Sequence, residues 1–314
     1  MKALIIGAAG FVGKHLIDHL VEICWEVSAT RLPTETIDTR IPVFELDILD
    51  PPAISALLKE INPECIFHLA AQSSVAVSWE QPALTIDINV KGVANLLEAV
   101  RRIPKPPRVL LIGSGEEYGY VSPEDIPIIE ETSLHPGNIY AATKIAQGML
   151  GQIYARAYGL EIVIVRAFNH IGPGQSDTFA IPNFCKQVAM IEAGLSPPII
   201  KVGNLEAKRD FTDVRDIVRA YRLLAEKGES GVIYNVGSGR AVSIGEMLEK
   251  ILSLSKTEIT VEQDPSRMRP ADIPIIEADI SRLCRMTGWK PEVLLEMTLA
   301  EILDEWRVKV INYK

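Results

Sequence analysis

Tyr140-Ala-Ala-Thr-Lys144 sets a phenol and an ammonium four residues apart. On a helix, residues i and i+4 share a face, so the two groups stand together. A tyrosine ordinarily titrates near ~10, too high for easy proton exchange at neutral pH. A lysine ammonium beside it favours the phenolate and lowers that value. Ser114, in Gly113-Ser114-Gly115-Glu116-Glu117-Tyr118-Gly119, adds a hydroxyl able to donate to the same substrate oxygen. Such a set suits proton transfer at an oxygen. Ser114, Tyr140 and Lys144 are the catalytic candidates, with Glu116 as a further acid or base. A Tyr/Lys pair at helical spacing is common by chance, so its meaning depends on where it falls in the chain.

Those side chains need a frame, and the apolar runs supply one. Strands read at 2–6, 26–30, 43–46, 65–69, 108–112 and 161–166. Helices read between them at 11–23, 52–60, 82–102 and 139–158. This alternation predicts an α/β fold, a Rossmann doubly wound parallel sheet with helices on both faces. Ligands then bind at the carboxyl ends of the strands. From residue 169 the pattern loosens at Gly172-Pro173-Gly174 and Pro197-Pro198, with a strand near 232–236 and a helix near 244–253. We expect a dinucleotide-binding domain over 1–168 with a returning segment near 211–237. A smaller C-terminal substrate-binding domain would take 169–210 and 238–314.

The first turn carries the cofactor signal. Gly7-Ala-Ala-Gly10-Phe-Val-Gly13 follows a strand and opens a helix. Gly7 allows a tight turn, Gly10 a close approach to a pyrophosphate, and Gly13 close packing of helix on strand. The helix N-terminus, at Phe11 and Val12, points free N–H groups at the phosphates. The second strand ends Ser28-Ala29-Thr30-Arg31, without the acid that would hold the ribose of NAD. Arg31 could pair with a 2′-phosphate or simply be solvated; NADP(H) is favoured, with NAD(H) the alternative. Asp47, followed by Ile48, could accept from the adenine amino group or merely begin a turn. His68-Leu69-Ala70-Ala71 closes the fourth strand. Its small residues let a cofactor lie against the sheet edge, and His68 reads as a packed core histidine. Gln72, Ser73 and Ser74 could face the nicotinamide or the substrate.

Composition narrows the class. The chain has 314 residues, 47% hydrophobic and 23% charged, as in an ordinary soluble protein. A net charge of -9 argues against a nucleic-acid partner. Cys24, Cys65, Cys185 and Cys284 are far apart and form no CxxC pair. They read as reduced, mostly buried thiols, and no metal site is expected. No apolar run is long enough for a bilayer, and a strand beginning at residue two leaves no room for a signal peptide. The expected setting is cytoplasmic, away from membranes.

GAAGFVG, HLAA, the serine before EEYG, YAATK and the strand ending RAFN together resemble the extended short-chain dehydrogenase/reductase family. The resemblance spans essentially the whole chain. It implies a Rossmann domain, a bound nicotinamide and a nucleotide-sugar in the C-terminal domain. FNHIGPGQ, VGNLEAKRDF and RPAD are similar to the GDP-sugar branch, which holds GDP-mannose 4,6-dehydratases and the reductases that act on their 4-keto-6-deoxy product. By that resemblance Asn169, Lys186, Arg209 and Arg269 contact the diphosphate or the nucleotide. Two phosphates in a partly buried cleft call for such donors. Arg209 and Arg269 could instead form ion pairs with Asp210 or Asp272. His170 sits near the sugar or packs a loop.

Within the branch, a dehydratase needs an acid or base beyond Tyr140 for the elimination. Ser114 and Glu116 stand where those dehydratases carry threonine and glutamate. Glu117 is a second carboxylate where they usually carry an apolar residue. GSGEEYG, FNHIGPGQ and the short chain look more like the 4-reductases, which yield GDP-6-deoxy-D-mannose (GDP-D-rhamnose). Dehydratase and 4-epimerase are the alternatives, and a non-catalytic NADP sensor the remote one. In the family, apolar faces like those of helices 82–102 and 139–158 build a four-helix homodimer interface. Here those faces could also be used up against the sheet.

Overall fold

Each apolar run of the first half becomes one strand of a single sheet. The computed structural model describes residues 1–267 and 273–311. In chain order the first half runs β1 (Lys2–Ile6), α1 (Phe11–Glu22), β2 (Glu26–Arg31), β3 (Val43–Glu45), α2 (Pro51–Ile61) and β4 (Cys65–His68). It continues with α3 (Val75–Glu80), α4 (Pro82–Ile86), α5 (Gly92–Arg101), β5 (Arg108–Ser114), α6 (Ile139–Tyr158) and β6 (Ile162–Ala167). The sheet has seven strands, and β10 (Ile233–Val236) returns to its edge beside β6. Across the sheet the order is β10-β6-β5-β4-β1-β2-β3, with parallel pairing throughout. The winding reverses between β1 and β4, which opens a crevice at their carboxyl ends.

Strands buried on both faces read as near-continuous apolar runs, and β1, β4, β5 and β6 do so over most of their length. On one face Ala3, Ile5, Phe67, Leu110 and Val165 pack with α1 and with α8 (Val214–Lys227). On the other, Leu4, Ile6, Ile66, Val109 and Leu111 pack with α2 and α5. Between β6 and β10 the chain adds β7 (Asn169–Ile171), α7 (Ala180–Glu192), β8 (Ile199–Val202) and β9 (Lys208–Asp213). After β10 come β11 (Ala241–Ser243), α9 (Ile244–Ser253), β12 (Thr260–Gln263), β13 (Ile275–Ile276), α10 (Ser281–Thr287) and α11 (Leu295–Ile311). A separate core holds this second half together, built on Phe184, Val188, Met247, Leu299, Leu303 and Trp306.

Two departures from the sequence expectation bear on the site. The helix read at 82–102 is not continuous. It is α4, then a five-residue π-helical turn at Asp87–Lys91, then α5. Such turns insert a residue into the helix and re-aim a side chain, commonly at functional sites. Here the turn carries Asn89, which is fully buried. The second departure is α8, whose buried Val214, Ile217, Val218, Tyr221 and Leu224 follow a clear helical period. This regular helix interrupts the loosened pattern that the sequence shows after residue 169. Of the thiols, Cys65 and Cys185 are buried, Cys284 is half-buried and Cys24 is exposed. No described helix is long and apolar enough to cross a membrane.

Candidate active site

The glycine turn forms first, from backbone alone. Gly7 adopts φ +81°, and a Cβ there would stand 2.5 Å from the Ala70 Cα. A Cβ on Gly13 would stand 2.1 Å from the Ala8 carbonyl oxygen. Neither position tolerates a side chain, so the turn and α1 press directly on the ends of β1 and β4. Leu69 and Ala70 donate their N–H groups to the Ile6 carbonyl, each at 2.9 Å, and Ala71 follows them out of the strand. Gly7 N–H is tied to Thr30 Oγ1 at 3.1 Å. No side chain caps α1, whose first turn begins at Phe11 and Val12, and a Cβ on Gly10 would meet nothing closer than 4.0 Å. An uncapped helix N-terminus behind an open glycine is a cradle for a phosphate. These residues fit the pyrophosphate of a dinucleotide.

The outer edge of that crevice is more occupied than expected. Arg31 donates to the carbonyls of Leu32, Pro33 and Glu35 and pairs with Glu45 at 3.0 Å. It is neither free nor simply solvated. Asp47 accepts from the Leu49 N–H at 2.8 Å and so begins a turn, as one of its two readings had it. Ile48 is buried against Gly92, where a Cβ would lie 2.5 Å from its Cδ1.

At the centre, β5 and α6 bring the catalytic candidates together. Ser114 ends β5, and its hydroxyl accepts from Glu116 N–H at 3.2 Å. Asn138 caps α6 by accepting from Ala141 N–H at 2.8 Å, which fixes the turn that carries Tyr140. Lys144 lies one turn on, its Nζ 5.9 Å from the Tyr140 ring centroid. Both side chains are buried, Tyr140 9% and Lys144 4% exposed. Lys144 Nζ donates to the Ile112 carbonyl at 2.8 Å and to Gln147 Oε1 at 3.2 Å.

The electrostatics correct one expectation. Lysine was to lower the tyrosine. Instead burial raises the Tyr140 pKa well above the ordinary value, a hydrogen bond with Ser114 opposes the rise, and Glu117 and Glu116 add to it. Lys144 is itself brought down to about 8 by burial, against the pull of Glu117. The reason is geometric: the amine is turned into the sheet, toward Ile112 and Gln147. His68 beneath it is buried, with neither ring nitrogen bonded among the described residues, and burial and then Lys144 hold its pKa down to about 3. It is a neutral core histidine, as read.

The two glutamates part company. Glu116 is half-buried, and Asn138 Nδ2 donates to its Oε2 at 3.3 Å. Glu117 is 1% exposed and turned away, bound to Arg166 and to the backbone of Ser114. On the other wall, Asn89 accepts from Gln72 N–H at 2.9 Å and donates to the Gln72 carbonyl and to Thr143 Oγ1, each at 3.0 Å. Sequence reasoning missed Asn89, because nothing in the local pattern marks a π-helical turn. Asn138 was visible as a cap residue before a helix. Gln72 turns its side chain inward to Ser74 and Thr85, Ser74 caps α3, and Ser73 is exposed.

The second-half candidates are less convergent. Asn169 opens β7 and is exposed. His170 donates from Nδ1 to the Phe168 carbonyl at 3.0 Å and stacks on Phe11 at 6.0 Å, so it is a packing residue beside the glycine turn. Burial lowers its pKa. Lys186 pairs with Asp177 at 2.7 Å. Arg209 donates to the carbonyls of Lys208 and Ile273. Asp210 is buried and accepts from the Ser238 hydroxyl and from the N–H groups of Ser238, Gly239 and Ala278. Arg269 and Asp272 lie outside the described residues.

The family model described as GDP-mannose 4,6 dehydratase matches residues 4–302. A GDP-6-deoxy-D-mannose reductase of Pseudomonas aeruginosa is 36% identical over 98% of both chains. A solved structure of RMD from Pseudomonas aeruginosa complexed with NADPH superposes with a TM-score of 0.88, covering 98% of this chain and 100% of that one. Thermus thermophilus UDP-glucose 4-epimerase complexed with NAD is 28% identical, with a TM-score of 0.87 over 98% of this chain and 99% of that one. With the glycine turn, the parallel sheet and the Ser114–Tyr140–Lys144 grouping in place, the chain belongs to the GDP-mannose 4,6-dehydratase family of extended short-chain dehydrogenases/reductases.

Proposed function

We propose that this protein reduces the C4 keto group of GDP-4-keto-6-deoxymannose to GDP-6-deoxy-D-mannose. The observation that carries the reading is the 36% identity, over 98% of both chains, with the Pseudomonas aeruginosa GDP-6-deoxy-D-mannose reductase. Reduction needs a proton donor at the C4 oxygen, and the Tyr140 phenol is placed to be one.

The reduced nicotinamide supplies the hydride when bound; Gly7, Gly10, Gly13, Phe11 and Val12 would hold its pyrophosphate, and Lys144 its ribose. Tyr140 donates its proton to the C4 oxygen as charge develops there. Ser114 hydrogen-bonds that oxygen and stabilises the charge. Glu116, tethered by Asn138, positions the sugar in this reading. Residues 1–168 with 211–237 serve the cofactor; 169–210 and 238–314 serve the nucleotide-sugar.

Two assays test the reading. Purified protein is mixed with GDP-4-keto-6-deoxymannose and NADPH, and separately with GDP-mannose and NADP. Consumption of NADPH with the keto-sugar alone is expected. Loss of water from GDP-mannose without net change in cofactor would overturn the reductase and give Glu116 the elimination role.

We assign NADPH as the preferred cofactor. β2 offers no acid for a ribose 2′-hydroxyl, and the Arg31 guanidinium can exchange Glu45 for a phosphate in a stronger bidentate contact. Arg31→Ala is expected to raise KM for NADPH about tenfold, the value of roughly one charge-assisted contact. KM for NADH should hold; equal losses with both cofactors would refute the assignment. We also propose a homodimer, formed through the exposed Leu84, Ile86, Met149 and Ile153 of α4 and α6. A monomer in sedimentation equilibrium would refute it.

A further inference from the structure

Glu117 and Arg166 form an ion pair sealed inside the protein, their side chains 1% and 6% exposed. Arg166 Nε donates to Glu117 Oε2 at 2.7 Å, and the other oxygen, Oε1, accepts from the Ser114 N–H at 2.8 Å. Arg166 Nη1 is held in turn by the Tyr118 hydroxyl and the Glu130 carbonyl, and Tyr118 donates to Asn235 Oδ1 at 2.7 Å. Even Gly113 is shaped to this arrangement, since a Cβ there would lie 2.3 Å from Glu117 Oε1. A buried ion pair is a poor source of stability, because desolvation offsets its attraction. Its free oxygen, however, is spent on one backbone N–H, that of the residue whose hydroxyl faces the chemistry.

We propose that Glu117 is a positioning residue, which Arg166 orients and which sets the placement of the Ser114 hydroxyl beside Tyr140. The inference rests on the reductase reading for its kinetic consequence, but not for its geometry. A misplaced Ser114 hydroxyl costs stabilisation of the charge that develops on the C4 oxygen. KM for the nucleotide-sugar should hold, because the pair is sealed inside the protein and offers no surface to a ligand.

The test compares two charge-free double variants, so that neither leaves a lone buried ion. Glu117→Gln with Arg166→Met keeps an oxygen for the Ser114 N–H; Glu117→Leu with Arg166→Met does not. We expect the Leu/Met variant to turn over about tenfold more slowly than the Gln/Met variant, as for a partial displacement of one catalytic group. Its KM should be unchanged. Equal kcat in the two folded variants would overturn the proposal. If the wild type itself fails to reduce the keto-sugar, the function reading fails alone. The Tyr140 ring resonances, read by NMR at neutral pH without substrate, then decide: a shift in the Leu/Met variant relative to the Gln/Met variant supports the proposal and identical resonances refute it. Should either double variant not fold, Arg166→Lys keeps the charge but loses the planar fork. Lower kcat at constant KM supports the proposal there, and wild-type kcat refutes it.

Discussion

Replacing Tyr140 with phenylalanine is expected to lower kcat about a thousandfold, within the range that a positioned general acid supplies. The ring stays, so the packing of α6 on β5 stays with it. Ser114 loses a partner but not its place, because Glu117 holds its backbone. Binding of the nucleotide-sugar should be unchanged, since the phosphate-contacting candidates Lys186 and Arg209 lie on other elements. The pattern to look for is therefore a fall in kcat and kcat/KM together, the mark of a lost transition-state contact. Turnover within a few-fold of wild type would remove Tyr140 from the mechanism.

What was legible in the sequence was local. The spacing of Gly7, Gly10 and Gly13 needs only one turn to acquire meaning, and the Tyr140/Lys144 pair needs one turn of helix. Ser114 was found because it closes a strand that reads as apolar. The parallel sheet followed from alternation, because strands covered on both faces show as continuous apolar runs. What was hidden depends on contacts between distant segments. Arg166 looked like the last residue of a strand, yet it orients Glu117 from 49 residues away. Asn89 sat inside an apparently regular helix, and only the π-helical turn sends its amide to Gln72. The protonation of Tyr140 was read the wrong way round, because pairing with Lys144 is visible in spacing and burial is not. The pairing of Lys186 with Asp177, nine residues before it, is likewise invisible in the sequence pattern.

The same burial makes Lys144 costly, and this gives a prediction in which stability and activity move apart. Its folded-state pKa is about 8 against an ordinary 10.5. In the unfolded chain the amine stays protonated up to the ordinary value. Between those two values the unfolded chain binds more protons than the folded one, so stability rises with pH across that window. Below it the folded protein carries the full penalty of a buried charge, on the order of 3 kcal/mol. Lys144→Met removes the penalty and fills the space with a chain of similar length. It also removes a donor to Gln147 Oε1, at a cost of about 1 kcal/mol. The Ile112 carbonyl keeps Gln147 Nε2 as a donor at 2.9 Å. Without cofactor at pH 7, the variant should be about 2 kcal/mol more stable, with Tm higher by about 4 °C. The rise in wild-type stability above pH 8 should be missing from it. Activity goes the other way. With no ammonium to hold the ribose, kcat should fall at least about a hundredfold. Added cofactor should stabilise the variant less than the wild type. A variant less stable than wild type at pH 7 would show that the amine is better solvated than its burial implies, and the penalty argument would fall. A variant both more stable and fully active would leave Lys144 without a role in the reaction.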